Sequence, residues 1–171
     1  MSFFLRGYLS TPVGKRKLDD FIFSIPIVGD LRKQIILTDL SRTMAITIGA
    51  GVPILESLNI SSDVISSVRV KDAVKDVSRK VEKGFPISYS FAQHADEFPY
   101  LFSQMIAVGE ETGKMEDVLE KISRVFETES EEKVKALTSA IEPIIMIFLG
   151  IGVLFLVVSV IVPIYNLTNV I

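Results

Sequence analysis

One stretch of this chain resembles a ligand loop: Gly109-Glu110-Glu111-Thr112-Gly113-Lys114, in which glycines bracket carboxylates and a hydroxyl. Glycine-rich loops ending in lysine cradle phosphates when backbone N–H groups turn inward and a following Ser or Thr holds magnesium. Here the glycines stand one residue too close, Met115 replaces the hydroxyl, and two carboxylates would face the phosphates. A glycine-bounded turn between two helices accounts for the same residues better. Asp96, Glu97, Glu110 and Glu111 offer oxygens to a hard cation but lack the spacing of a cation loop. His94 is the single histidine and cysteine is absent, so histidine clusters, thiolate metal sites and disulfides are all excluded. No nucleophile, base and orienting acid fall together. The residues therefore predict no catalytic, cofactor or metal site, and a chain that works by association.

The element that organises the rest is the apolar run Ile144 to Val162, closed by Pro163. At helical rise it reaches roughly the thickness of a bilayer's hydrocarbon core, and only Gly150, Gly152 and Ser159 interrupt its apolar surface. It is expected to span a lipid bilayer. All 18 Lys and Arg lie at or before Lys135, and the tail after Pro163 is uncharged. The positive-inside rule then places the preceding domain in the cytoplasm and the C-terminus across the membrane. A net charge of −3 argues against a nucleic-acid partner.

The remaining pattern is helical throughout. Residues 1–30 read as the end of a preceding membrane segment (Met1 to Tyr8), a basic flank (Lys15 to Lys17) and a connector marked by Pro26 and Gly29. That connector is expected to lie along the domain without forming a long helix. Residues 31–140 read as a helical bundle, 141–165 as the membrane helix and 166–171 as a short tail. Helical spacing selects Ile36, Leu37, Leu40, Met44 and Ile48, then Ile54, Leu58 and Ile65, then Val70, Val74, Val77 and Val81. A short helix follows Pro86, and Phe98-Pro99 opens another whose core face is expected at Tyr100, Leu101, Met105 and Ile106. That helix should end in the turn Gly109 to Gly113. Met115, Val118, Leu119, Ile122, Val125 and Phe126 form the next stripe, and the block Glu127 to Lys133 should be solvated. The last helix runs on as the span or bends into it at Pro143. The predicted fold is all-α: an antiparallel six-helix cytoplasmic bundle followed by a C-terminal transmembrane helix.

Candidate partner contacts fall in two groups. Gly109, Glu110, Thr112 and Gly113 form the turn, where Glu110 is expected to meet a partner or another helix's N-terminus. Glu142 and Pro143 stand at the mouth of the span, where a charge is tolerated. Gly152 and Ser159 share a helical face with Pro163, and small residues there permit close packing against other spans.

Taken in order, Pro26-x-x-Gly29, Gly51-Val52-Pro53, Phe98-Pro99, Gly109-Glu110-x-Thr112-Gly113, Glu142-Pro143 and Pro163 resemble the type II secretion system protein F family. That family includes the type IV pilus inner-membrane platform proteins. The resemblance covers nearly the whole chain from about Lys15. It implies the C-terminal one of two helical repeats with the last membrane helix, hence a piece of a longer protein. It also implies a bacterial inner-membrane scaffold with a periplasmic C-terminus. Such a scaffold couples a cytoplasmic assembly ATPase to pilin or pseudopilin, touches other membrane subunits and forms a homo-oligomer. From the residues alone, the alternative is a membrane-tethered helical signalling module. The breaks at Gly51, Gly84, Pro86, Pro99 and Gly113 count against the long heptads such a module needs.

Overall fold

The structure, a computed structural model, describes residues 26–168. The expectations for Met1 to Tyr8, for Lys15 to Lys17 and for the last residues of the tail lie outside that range. Six α-helices and no strand occur among the described residues. They are α1 (Pro26–Gly49), α2 (Ile54–Val64), α3 (Val68–Glu82), α4 (Ile87–Ala92), α5 (Tyr100–Thr112) and α6 (Met115–Thr168). The chain divides into two compact units, Met1–Glu131 and Glu132–Ile171, and α6 contributes to both.

In the first unit each helix from α1 to α5 packs on its neighbour in sequence. The connections are short because glycine and proline start and stop the helices. Gly51, Gly84 and Gly113 take φ of 83°, 88° and 70°, the left-handed region where a side chain is strained. Pro53, Pro86 and Pro99 hold extended backbone immediately before α2, α4 and α5, with ψ of 145°, 143° and 152°. At the start of α3 the Ser67 hydroxyl accepts the Val70 N–H, while Arg79 and Lys80 complement its C-terminal dipole.

The stripes expected on α1, α2 and α3 face one core, with Leu37, Leu40, Met44, Leu58, Val70, Val74 and Val77 almost wholly buried. Its centre is aromatic. Phe91 meets Phe98 and Phe102 edge-on at 4.7 and 5.0 Å, and Phe102 reaches Phe126 of α6 at 6.4 Å. Such ring pairs add about 0.5–1.5 kcal/mol each beyond the area they bury.

Four local expectations are corrected. First, the backbone is already helical from Pro26, the first described residue, a proline being tolerated in a first turn where its missing N–H would be unpaired anyway. The part of the expected connector within the described residues, from Pro26 on, is the first turn of a 24-residue helix. Second, Tyr100 and Leu101 are 77% and 47% exposed. Pro99 sets the phase of α5, so that Phe102, Ile106 and Gly109 point inward with Phe98 ahead of them. Third, Gly109 to Thr112 is the last turn of α5, and only Gly113 leaves the helical region. Fourth, the block after Phe126 is not simply solvated: Glu127 and Glu129 are half-buried and bound to α1.

The second unit is the remainder of α6. Its assignment passes Pro143 without a break, so the helix runs on. The described part of α6 contains an 18-residue window of mean hydropathy 2.7, none of it buried, which is long and apolar enough to cross a membrane.

Candidate functional site

The Gly109–Gly113 stretch is built from its backbone outward. At Gly109 a methyl group would lie 3.3 Å from the Met115 Cα and 3.3 Å from the Val118 Cβ, so the missing side chain is what lets α5 and α6 approach. Gly113 faces open space, and its φ of 70° is its whole requirement. Together they turn the chain back within two residues. Thr112 spends its hydroxyl on the Val108 carbonyl at 2.6 Å. Glu111 is exposed.

Glu110 reaches across to α4. One carboxylate oxygen accepts the Ile87 N–H at 2.8 Å. The other accepts the Ser88 N–H at 3.2 Å and the Ser88 hydroxyl at 2.7 Å. Helix α4 needs this acceptor, because Pro86 precedes it and supplies no side-chain cap. The first N–H groups of a helix are orphaned unless something outside the helix takes them, and a carboxylate also suits the positive end of the dipole. Of the two roles expected for Glu110, contact with another helix's N-terminus is the one its geometry fills.

The residues the sequence reading passed over are Ile87 and Ser88. The available signal was Pro86 itself, since a helix opened by proline with no Asp, Ser or Thr at its cap must find an acceptor elsewhere. The acidic residues weighed as a cation site are dispersed into pairs. Glu97 binds Arg69, Asp96 lies 3.3 Å from the same guanidinium, and the Asp96 carbonyl accepts Lys33 at 2.5 Å. Among the described residues no three His, Asp or Glu side chains gather where a metal ion could sit.

His94 contacts Asp76 at 2.9 Å. Lys80 and Arg79 reach the same carboxylate from within α3, at 2.8 and 3.1 Å. Hydrogen bonds from Lys80 and His94 hold Asp76 well below the ordinary carboxylate range, at about 2. This cluster ties α3 to the segment following α4.

The other candidates lie in the second unit. Glu142 and Pro143 are exposed on α6. Gly152 and Ser159 are exposed too, and a methyl group at Gly152 would meet nothing within 4 Å. Gly109, Glu110 and Thr112 thus share the last turn of α5 with Gly113 just beyond it, while Glu142, Pro143, Gly152 and Ser159 follow one another along one helix.

Comparison with known proteins matches residues 40–163 to the family model for "Type II secretion system (T2SS), protein F". That range takes in the Gly109–Gly113 turn, Glu142-Pro143 and Pro163. The chain is 35% identical, over 96% of its length, to the type IV pilus assembly protein PilC of Thermus thermophilus, covering 41% of that protein. It is 32% identical over 96% of its length to the type IV pilus assembly protein TapC of Aeromonas hydrophila, covering 40% of it. It is also 32% identical over 89% of its length to the type II secretion system protein F of Xanthomonas campestris, covering 37% of it. The chain therefore spans about two fifths of the length of the curated relatives it matches. By the family match across most of its length, by the order of its glycine and proline breaks, and by its all-helical fold, this chain belongs to the type II secretion system protein F family.

Proposed function

We propose that the chain is part of an inner-membrane platform of a type II secretion or type IV pilus assembly machine, and that it acts as a scaffold and not as an enzyme. In this reading the first unit is cytoplasmic, the apolar part of α6 spans the bilayer, and the C-terminus is periplasmic. The platform links a cytoplasmic assembly ATPase to pilin or pseudopilin and contacts other membrane subunits, including further copies of itself. The observation that carries the reading is one helix serving two environments. The first part of α6 buries Leu119, Ile122 and Phe126 in the bundle, and its later part is apolar all round and unburied. A scaffold placed between a soluble motor and a membrane-embedded filament needs a chain that belongs to both environments.

The signalling alternative draws on the length of α6, which runs from Met115 to Thr168. Its first turns are nevertheless locked in a bundle with five shorter helices, an arrangement unlike a free stalk.

The reading is tested in cells carrying the parent machine, with reporter fusions after Ile171 and in vivo crosslinking from the first unit. Periplasmic reporter activity together with crosslinks to the assembly ATPase is the expected result. A cytoplasmic reporter signal removes the topology. Hydrolysis of ATP by the purified chain alone removes the scaffold.

A further inference from the structure

Helices α1 and α6 meet along a seam of a different character from the rest of the core. Gly49 lies against Glu116, Arg42 pairs with Glu127 at 2.7 Å, and Gln34 Nε2 donates to Glu129 at 2.7 Å. These contacts run in opposite directions along the two helices, an antiparallel register that sets Ser41 level with Ser123. The α1 residues on this line recur four, three and four apart: Gln34, Thr38, Ser41 and Ala45. All of them are buried, as is Ser123 on α6, and none carries a large apolar side chain. Leu37, Leu40 and Met44, on the adjoining face of α1, fill the apolar core.

The resting register leaves this seam incompletely satisfied. Ser41 Oγ and Gln34 Oε1 are buried and meet no hydrogen-bond partner among the described residues. A buried polar atom left in that state is destabilising, so a register that pairs it is favoured. At the outer edge, Arg42 and α6 line a groove with Ala45 and Ser123 on its course and Glu120, Arg124 and Glu127 beside it. Glu120 stands three residues before Ser123 and Glu127 four after it, so both lie on the same side of α6. Arg42 holds Glu127, whereas Glu120 is held from within its own helix by Arg124 at 2.6 Å. A second carboxylate thus lies two turns along the same side of α6 from the first, roughly 10.5 Å away, with Ser123 midway between them.

We propose that α1 and α6 shear past each other along this seam by one helical turn, roughly 5.4 Å, a step that carries Arg42 half of the way from Glu127 toward Glu120. Packed helices move by such discrete steps because intermediate positions clash. Small side chains lower the clash here, and hydroxyls can trade one hydrogen bond for another. The apolar residues of α1 follow the same spacing as the seam, so a one-turn step replaces each contact by its successor.

The chain contains no cysteine, so disulfide trapping of this chain in membranes has no background from its own residues. Ser41→Cys is paired in turn with Ser123→Cys, Glu120→Cys and Glu127→Cys. The control is the α2–α3 contact, where Ser78 Oγ donates to Asn59 Oδ1 at 3.0 Å. Ser78→Cys is paired there with Asn59→Cys and, one turn away, with Asp63→Cys. The expected result is trapping of Ser41→Cys at Ser123 and at a turn-shifted position, while Ser78→Cys is trapped at Asn59 alone. Trapping of Ser41→Cys at Ser123 only, or at none of the three, overturns the proposal. So does equal turn-shifted trapping at both seams, which would mean general loosening of the bundle.

Discussion

The carboxylate of Glu110 is bound by a helix that lies 22 to 23 residues earlier in the chain, and its first effect is on folding. Glu110→Ala removes acceptors for Ile87 and Ser88 and should lower stability by about 1.5–3 kcal/mol, the range for hydrogen bonds to a charged group. Urea unfolding followed by circular dichroism measures this directly. Gly113→Val should cost about 1–3 kcal/mol because its φ is positive, and Gly113→Asn less, since asparagine tolerates that conformation. Asp76 gives a pH dependence with a definite sign. Its carboxyl sits at about 2 when folded, against about 3.9 when free, so its pairing stabilises the fold above the free value. That contribution is lost as pH falls through about 2. Asp76→Asn should therefore flatten the acid limb of stability against pH, seen as a smaller drop in Tm between neutral and strongly acidic buffer. Residue types and spacing were enough to reject chemistry at Gly109–Lys114. They were not enough to find the partner of Glu110, because pairing between helices depends on how far each is rotated about its axis.

At the scale of the element, helix identity was legible wherever glycine or proline punctuated a periodic stripe. The valines of α3 at 70, 74 and 77 are buried as the spacing requires, and Gly84 stops the helix in the left-handed region. What failed was phase and extent. A proline reads equally as an interruption or as part of a first turn, and at Pro26 the backbone is already helical. On α5, Tyr100 and Leu101 looked as apolar as Phe102, and only the fixed turn after Phe98 decides which of them points inward. The same phase carries a prediction. Leu101→Ser, on the exposed face, should change stability by no more than about 0.5 kcal/mol. Phe102→Ala, buried against Phe91, Phe98 and Phe126, should cost about 3–5 kcal/mol. Comparing the two unfolding midpoints checks the rotation of α5 without a new structure. In α6 the apolar run reads from sequence alone as too long and too uniform for a small soluble core, and it is unburied in the fold.

For the whole molecule, association should reside in the exposed small residues of α6. Replacing Gly152 and Ser159 together with Leu should leave insertion intact, since leucine inserts well, yet weaken crosslinking to other spans. Undiminished crosslinking in membranes would assign that face to lipid. The order of packing in the first unit also has a kinetic side. Each of α1 to α5 touches its immediate neighbour, so most contacts close short loops. A far longer closure is the meeting of α1 with α6, where Gln34 and Glu129 are 95 residues apart. Short loops close early and cheaply, and distant pairs must wait until the intervening chain is ordered. The bundle should therefore assemble as a succession of local hairpins, with the α1–α6 closure absent from the transition state. Removing the Arg42 side chain, a loss of up to about 1 kcal/mol for an exposed ion pair, should then hasten unfolding severalfold and leave the refolding rate nearly unchanged. Stopped-flow measurement of both limbs distinguishes this from an early closure, which would slow refolding. The last contact to form would also be the first to part, so the lifetime of the folded bundle is governed at the junction of its first and last helices.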